Sequence, residues 1–268
     1  MSNLPVSVPL CYALAQVHFN PVPSIGEYIP AVQDVLRREG WPEFQHQKSH
    51  GFEVKPIDGG EPEVSSRERE RWLFSDVEAT QGFIFQEKSI IFHTTDYQGF
   101  ESVLASVLRG LEVLHDVATL QFVDRVGLRY FNVIDPDSMG QGRLAYWVPE
   151  RLLGLANATE TGLRHSFSET VFEERGGTLV SRSLVSPRGV VWPPDLQPVV
   201  LEPLSQFRIH GRTVVLLDND FYKVFPKPHI PCDGDRVGKE LQLCHEMIGR
   251  MFREMTTADA RAAWGVYE

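Results

Sequence analysis

Residues 122–134 read FVDRVGLRYFNVI, a run of β-branched and aromatic residues that predicts a β-strand. Successive side chains of a strand point to opposite faces. One predicted face carries Arg125, Gly127, Arg129, Phe131 and Val133. The other carries Asp124, Val126, Leu128, Tyr130 and Asn132. At a rise of about 3.3 Å per residue, the two arginines stand about 13 Å apart with a glycine between them.

This strand supplies the candidate ligand-binding residues, which are Arg125, Arg129, Tyr130 and Asn132. Two guanidiniums on either side of Gly127 could receive an anionic or planar ligand. The alternative is that each arginine pairs with a carboxylate across the sheet, which the excess of 36 acidic over 26 basic residues favours. Both interpretations remain open from the residues alone.

Helices and strands are predicted on both sides of this run. A strand is expected over Leu10–Phe19, with Cys11, Ala13, Ala15, Val17 and Phe19 on one side. Apolar residues at helical spacing predict helices from Ile25 to Leu36 and from Phe100 to Val117. The pattern of an antiparallel meander covers Trp72–Val77, Gly82–Glu87 and Ser89–Thr94, after an exposed loop at Ile57–Ser66.

The C-terminal part repeats the order of strands followed by a helix. Strands are predicted over Ser166–Glu173, Thr178–Val185, Phe207–Leu217 and Phe221–Phe225, with a hairpin turn at Arg175–Gly177 and a final helix from Val237 to Phe252. We therefore expect an α+β protein of two similar halves, each an antiparallel sheet covered by one long helix. The turn-rich stretch Asp135–Gly142 divides residues 1–140 from residues 141–268, with one compact unit as the alternative.

Asp218 and Asp220 flank Asn219 between two predicted strands. Their carboxylates, with Asp235, could supply oxygen ligands to Mg²⁺ in a metal-dependent enzyme. Between two strands, however, Asn and Asp are favoured simply as turn residues, and this turn interpretation is the preferred one. Apart from this magnesium alternative, we expect no cofactor.

Composition limits the classes of partner. A formal charge of -10 disfavours nucleic acid and anionic membranes, although a local basic face can still bind phosphates. Three widely spaced cysteines, Cys11, Cys232 and Cys244, suggest neither a disulfide framework nor a zinc site, and fit a reducing cytoplasm. The first residues resemble neither a signal peptide nor a membrane span.

The chain lacks GxSxG, GxGxxG and Walker A motifs, and no nucleophile, base and electrophile set can be assembled from its sequence. We therefore expect a cytoplasmic binding or regulatory protein with a protein partner or a homodimeric state, and no catalytic residues. One alternative is a metal-dependent enzyme acting on a phosphate-containing substrate. The other is binding of RNA or single-stranded DNA.

The string Arg125–Asn132, RVGLRYFN, resembles the RxGLRYxN element of a sporadically distributed, uncharacterised bacterial family of about this length. The strand ending at Phe19 and the closing run from Leu243 through Phe252 to Thr257 are also similar to that family. The resemblance implies no established activity, cofactor or catalytic residue. Its patchy distribution implies an accessory gene of mobile or defence-associated operons.

Overall fold

One antiparallel sheet runs through the chain. The computed structural model describes residues 8–55, 63–138, 140–158, 162–196 and 200–265. Its strands are β1 (Leu10–Phe19), β2 (Glu43–Lys55), β3 (Glu63–Ser75), β4 (Gln81–Gln86), β5 (Ser89–Thr94), β6 (Phe122–Ile134), β7 (Ser166–Glu174), β8 (Gly177–Ser186), β9 (Val214–Val224) and β10 (Ile230–Pro231). Within the described residues the order across the sheet is β2-β3-β4-β5-β1-β6-β9-β8-β7, and the short β10 pairs with the start of β6. Strand β6 therefore lies in the middle of the sheet.

Helices cover one face of this sheet. They are α1 (Ile25–Arg38), α2 (Phe100–Ala118), α3 (Leu144–Trp147), α4 (Gly234–Met255) and α5 (Ala258–Trp264). The main core joins α1, α2 and α4 to the sheet through residues such as Val32, Leu114, Leu241, Val126 and Leu128. A second cluster places α3 and α5 over the end of the same face, around Trp147, Trp264 and Leu217. None of the described helices combines the length and apolar character needed to cross a lipid bilayer.

The protein is a mixed α+β structure with a large antiparallel sheet, as predicted. The expectation of two separate sheets, each under its own long helix, is not confirmed. Strands from both expected halves pair with each other where β6 meets β9, so the sheet is continuous. The division near residue 140 therefore has no break in the sheet to mark it and stays a prediction.

Most element boundaries follow the local pattern. The strand at Leu10–Phe19, the strand at Phe122–Ile134 and the β3-β4-β5 meander are confirmed. The hairpin turn is confirmed as well, since Arg175 and Gly176 both adopt positive φ between β7 and β8. The expected loop at Ile57–Ser66 is wrong for residues 63–66, which belong to β3, and its residues 57–62 lie outside the described ranges.

Other local predictions are wrong. The strand expected from Phe207 begins only at Val214, because residues 205–207 form a short 3-10 helix and the following residues are irregular. The aspartates at 218 and 220 do not sit in a turn, because β9 runs unbroken from Val214 to Val224 and pairs with a strand on each side. Cys11 packs away from Ala13, in a different buried cluster, because a register shift between Leu10 and Tyr12 interrupts the alternation of β1. Neither the pairing of a strand nor a bulge can be inferred from a single strand's pattern.

A segment made of the described residues 187–196 and 200–213 covers part of the other face. Leu201, Phe207 and Ile209 from this segment are buried against Phe131 and Leu216 of the sheet. The beginning and the end of this segment are joined by a hydrogen bond, in which the amide of Val190 donates to the carbonyl of Ile209 at 3.1 Å. We call residues 187–196 the wall segment.

The edge strand β7 exposes apolar side chains, with Phe167 and Val171 more than half exposed. An unpaired strand edge with apolar neighbours is a typical contact point for another chain. The expected protein partner or homodimer stays a prediction.

Candidate binding site

A cavity of about 650 Å³ opens between the wall segment and the strands β6, β9, β8 and β7. Its polar lining comprises Arg129, Arg164, His165, Arg182, Ser186, Arg188, Asp195 and Asp218. Its apolar lining comprises Phe131, Phe167, Leu184, Val191, Trp192, Pro193, Pro194 and Leu216. The cavity thus combines four arginines and two aspartates with an aromatic and aliphatic surface.

The register of the sheet builds the floor of this cavity. Directly paired residues share a face, so Phe167 on β7, Leu184 on β8 and Leu216 on β9 form one row. The next row contains Arg182 on β8, Asp218 on β9 and Phe131 on β6. Strand pairing alone therefore sets an apolar row beside a charged row.

Arg129 and Asp218 form a buried, two-pronged ion pair at the inner end of the floor. The Nε and Nη2 atoms of Arg129 donate to the two carboxylate oxygens of Asp218, each at 2.7 Å. Both side chains are only 5% exposed. The fixed fork of a guanidinium matches a carboxylate in this geometry, which holds Arg129 in one orientation.

Asp195 reaches from the wall segment to the same guanidinium. Its carboxylate accepts hydrogen bonds from Nη1 and Nη2 of Arg129, while its side chain stays 65% exposed. Burial opposes ionisation of Asp195, but the hydrogen bonds from Arg129 outweigh it and hold the pKa of this carboxyl below its ordinary value. The wall segment is therefore attached to the floor by an ion pair.

The positive charge of Arg182 is also balanced by carboxylates. It donates to Glu169 at 2.6 Å through Nε and to Asp218 at 3.2 Å through Nη1. Two of the four arginines, Arg129 and Arg182, are thus neutralised inside the protein.

The other two arginines, Arg164 and Arg188, are exposed at the mouth of the cavity. Within the described ranges, no side chain forms an ion pair or a hydrogen bond with either guanidinium. Four arginines against the two lining aspartates and Glu169, which pairs with Arg182, leave a formal charge of +1 in a protein whose net charge is -10. The positive charge of this cavity is therefore local and uncompensated.

Trp192 forms the aromatic side of the cavity. Its ring packs against Phe131 with centroids 5.2 Å apart and against the edge of Tyr12 at 5.7 Å. The hydroxyl of Tyr12 is in turn 2.8 Å from Nδ1 of His93. A chain of packed rings thus fixes the indole from behind.

His93, at the back of this chain of rings, makes folding sensitive to pH. Burial lowers its pKa to about 4, whereas an unfolded histidine titrates near about 6.5. The unfolded state therefore binds more protons between these values, and the free energy of unfolding falls as the pH falls through this window. We expect this residue to remove about 2 kcal/mol of stability between about pH 7 and about pH 5, measured by urea unfolding.

His93→Gln should flatten this part of the pH profile, and His210→Gln, at an exposed histidine, serves as the control. Equal pH slopes for the wild-type protein and His93→Gln would show that His93 does not carry the effect.

Of the predicted ligand residues, the structure places Arg129 alone in the cavity. Arg125 donates to the side-chain oxygen of Gln16, and its guanidinium lies 4.4 Å from the ring centroid of Tyr222. Tyr222 is paired with Gly127, and a Cβ added to that glycine would lie 3.2 Å from the Cβ of Tyr222. The expected gap between the two arginines is therefore filled.

Tyr130 and Asn132 point to the helical face, away from the cavity. The Tyr130 hydroxyl is 3.2 Å from that of Tyr97 and 3.0 Å from Nδ1 of His245. The amide of Asn132 faces the carbonyl of Leu217 at 3.5 Å. The carboxylate-pairing interpretation holds for Arg129, and Arg125 instead pairs with an amide and a ring.

Asp218 and Asp220 share one face of β9, but their surroundings disfavour a cation. Both oxygens of Asp218 already accept hydrogen bonds from arginines, so a metal would have to displace them. Burial raises the pKa of Asp220 above its ordinary value, which disfavours its charged form. In the part of the chain that the structure describes, no three His, Cys, Asp or Glu side chains are placed to hold a metal ion together.

Reasoning from the sequence missed Arg164, Arg182, Arg188, Trp192 and Asp195 as a group. Arg164 lies in an irregular stretch and Arg188 to Asp195 in a proline-rich one, where no periodicity assigns a face. A tryptophan followed by two prolines, with an arginine four residues before it, was the available signal. No model of a known protein family matches this chain, and a search of curated proteins finds no significantly similar sequence.

Proposed function

We propose that this protein is a binding or regulatory protein that takes a small organic anion into the cavity beneath the wall segment. The observation that carries the proposal is the pair of uncompensated guanidiniums, Arg164 and Arg188, at the mouth of a cavity with an aromatic wall. Cavities of about 300 to 1,000 Å³ with an apolar lining and a few polar groups are typical of small-molecule sites.

The positive charge of the cavity supports an anion as the ligand. The cavity is positive although the protein as a whole is strongly negative, and a positive cleft concentrates anions near its opening. Arginine is well suited to hold carboxylates and phosphates, since its planar fork donates two hydrogen bonds at once.

Rigidity supports binding as well. The inner end is held by the Arg129–Asp218 pair, and the aromatic side is held by the packing of Trp192 on Phe131. Groups that are already ordered lose little conformational freedom when a ligand arrives, which raises affinity.

Binding is favoured over catalysis by the polar groups of the lining. The one lining hydroxyl among the described residues, that of Ser186, accepts from the backbone amide of Arg188 at 3.3 Å and has no base hydrogen-bonded to it. A serine hydroxyl that acts as a nucleophile is ordinarily activated by such a base within reach.

The test uses a panel of aromatic carboxylates and aromatic phosphates, with NMR detection of the tryptophan indole N–H signals. Trp192→Phe identifies the signal of Trp192. We expect panel members at about 5 mM to shift that signal, because the indole lines the cavity. The double variant Arg164→Gln/Arg188→Gln should lose the shift.

The matched control is Arg38→Gln/Arg253→Gln, which removes the same charge from exposed helix positions. The proposal fails when no panel member moves the Trp192 signal, or when the cavity variant responds like the control.

A further inference from the structure

Arg164 and Arg188 both flank the same end of the β7–β8 ladder. The ladder begins with the pair Ser166 and Val185. Arg164 precedes this pair by two residues and Arg188 follows it by three, and both line the cavity. Two positive groups are therefore presented at the same end of the cavity.

Two uncompensated guanidiniums match a dianion better than a monoanion. A carboxylate offers two oxygens and one charge, which a single arginine satisfies. A phosphate monoester offers three acceptor oxygens and close to two charges near neutral pH, because its second pKa is about 6. The charge at this end is therefore complementary to a phosphate group.

The cavity floor between the Arg164 and Arg188 end and the Arg129–Asp218 ion pair is apolar. Leu184 and Leu216 separate the mouth from the Arg129–Asp218 pair, with Trp192 and Phe131 beside them. A flat ring can pack here, and its phosphate then reaches the mouth. On the wall segment, the exposed carboxylate of Asp195, which already pairs with Arg129, can accept further hydrogen bonds from ring N–H or amino groups.

From this arrangement we infer that the ligand is a nucleoside monophosphate, a nitrogen heterocycle that carries a phosphate monoester. This inference deepens the proposed function and rests on it. The phosphate lies between Arg164 and Arg188, and the base lies against Trp192 with its polar edge toward Asp195.

The same chemistry occurs in a nucleic-acid strand, but the structure favours the free nucleotide. A cavity of about 650 Å³ is the size of a single small molecule. A strand would have to approach a protein of charge -10, and strands are normally held by long tracks of basic residues.

The experiment is isothermal titration calorimetry on the full chain with AMP, GMP, CMP and UMP, each beside its dephosphorylated nucleoside. Phenyl phosphate, benzoate, inorganic phosphate and a single-stranded DNA oligonucleotide complete the set. We expect at least one nucleotide to bind, and loss of its phosphate to weaken binding about 100-fold. Arg164→Gln/Arg188→Gln should weaken the nucleotide by a similar factor and leave the nucleoside unchanged, while Arg38→Gln/Arg253→Gln changes neither.

Two variants test the other end of the ligand. Trp192→Ala should weaken nucleotide binding about tenfold through lost stacking, and Trp192→Phe should retain most of it. Urea unfolding of each variant shows whether the fold survives.

The outcomes separate this inference from the proposed function. If benzoate binds as tightly as any nucleotide and Arg164→Gln/Arg188→Gln weakens that binding, the nucleotide inference is wrong and the proposed organic-anion site stands. If the oligonucleotide binds and no mononucleotide does, the inference of a free nucleotide is wrong and the ligand is a nucleic-acid strand. Failure of every organic anion up to about 10 mM removes both proposals.

Discussion

Arg129→Met is expected to lower the free energy of unfolding by about 3 to 5 kcal/mol, because it leaves a buried carboxylate without its main partner. Asp218 would keep only the longer contact with Arg182, at 3.2 Å. The wall segment would also lose its ion pair, since Asp195 contacts the same guanidinium. Urea unfolding monitored by circular dichroism measures the loss.

The matched control is Arg125→Met on the same face of the same strand. Arg125 forms no ion pair with a carboxylate within the described residues, and contacts an amide and a tyrosine ring. We expect this variant to cost about 1 kcal/mol.

A double variant, Arg129→Met/Asp218→Asn, should recover part of the loss, because no isolated charge remains in the interior. Equal losses for Arg129→Met and Arg125→Met, with no recovery in the double variant, would mean that the buried ion pair contributes little.

Gly189→Ala is expected to destabilise the protein by about 3 kcal/mol and to abolish ligand binding. The φ of Gly189 is +92°, a conformation that L side chains rarely adopt, and an added Cβ would lie 2.1 Å from the backbone oxygen of Ile209. Backbone cannot move aside as a flexible side chain can. The wall segment must therefore separate from residues 209–211, to which it is bridged through Gly189 and His210.

Gly211→Ala is the control for backbone conformation alone. Gly211 also has a positive φ, +67°, but an added Cβ there would meet nothing within 4 Å. We expect a cost of about 1 kcal/mol and normal ligand binding. Unfolding by urea and the Trp192 indole signal distinguish the two variants. A Gly189→Ala protein as stable as Gly211→Ala would show that the wall segment tolerates displacement.

Much of the fold follows from local pattern. The strand at Leu10–Phe19 and the helix α2 were predictable because alternation and helical spacing of apolar residues are local signals. The predictions failed where residues distant in the chain determine the local structure. Asp218 and Asp220 are turn formers by preference, yet they lie inside β9 because Arg129 and Arg182 neutralise Asp218 and strands on both sides satisfy the backbone.

Only one of the main residues of the candidate site was predictable from the sequence. Arg129 was identified from its strand, and its pairing with a carboxylate was one of two interpretations that the sequence left open. The other cavity residues come from distant and largely irregular stretches. Arg164 and Arg188 come to line the same cavity only because β7 pairs with β8 in one particular register.

Amino-acid order alone was sufficient for β1, β6, the β3-β4-β5 meander, the long helices, the hairpin turn at Arg175 and the α+β class, because each depends on contacts between residues close in the chain. The tertiary structure decided that all the described strands join one sheet, and that residues 187–196 and 200–213 pack on part of its second face. It also decided which charges are compensated. Compensation depends on distances across strands and segments, and a one-residue change of register would turn Arg129 away from Asp218.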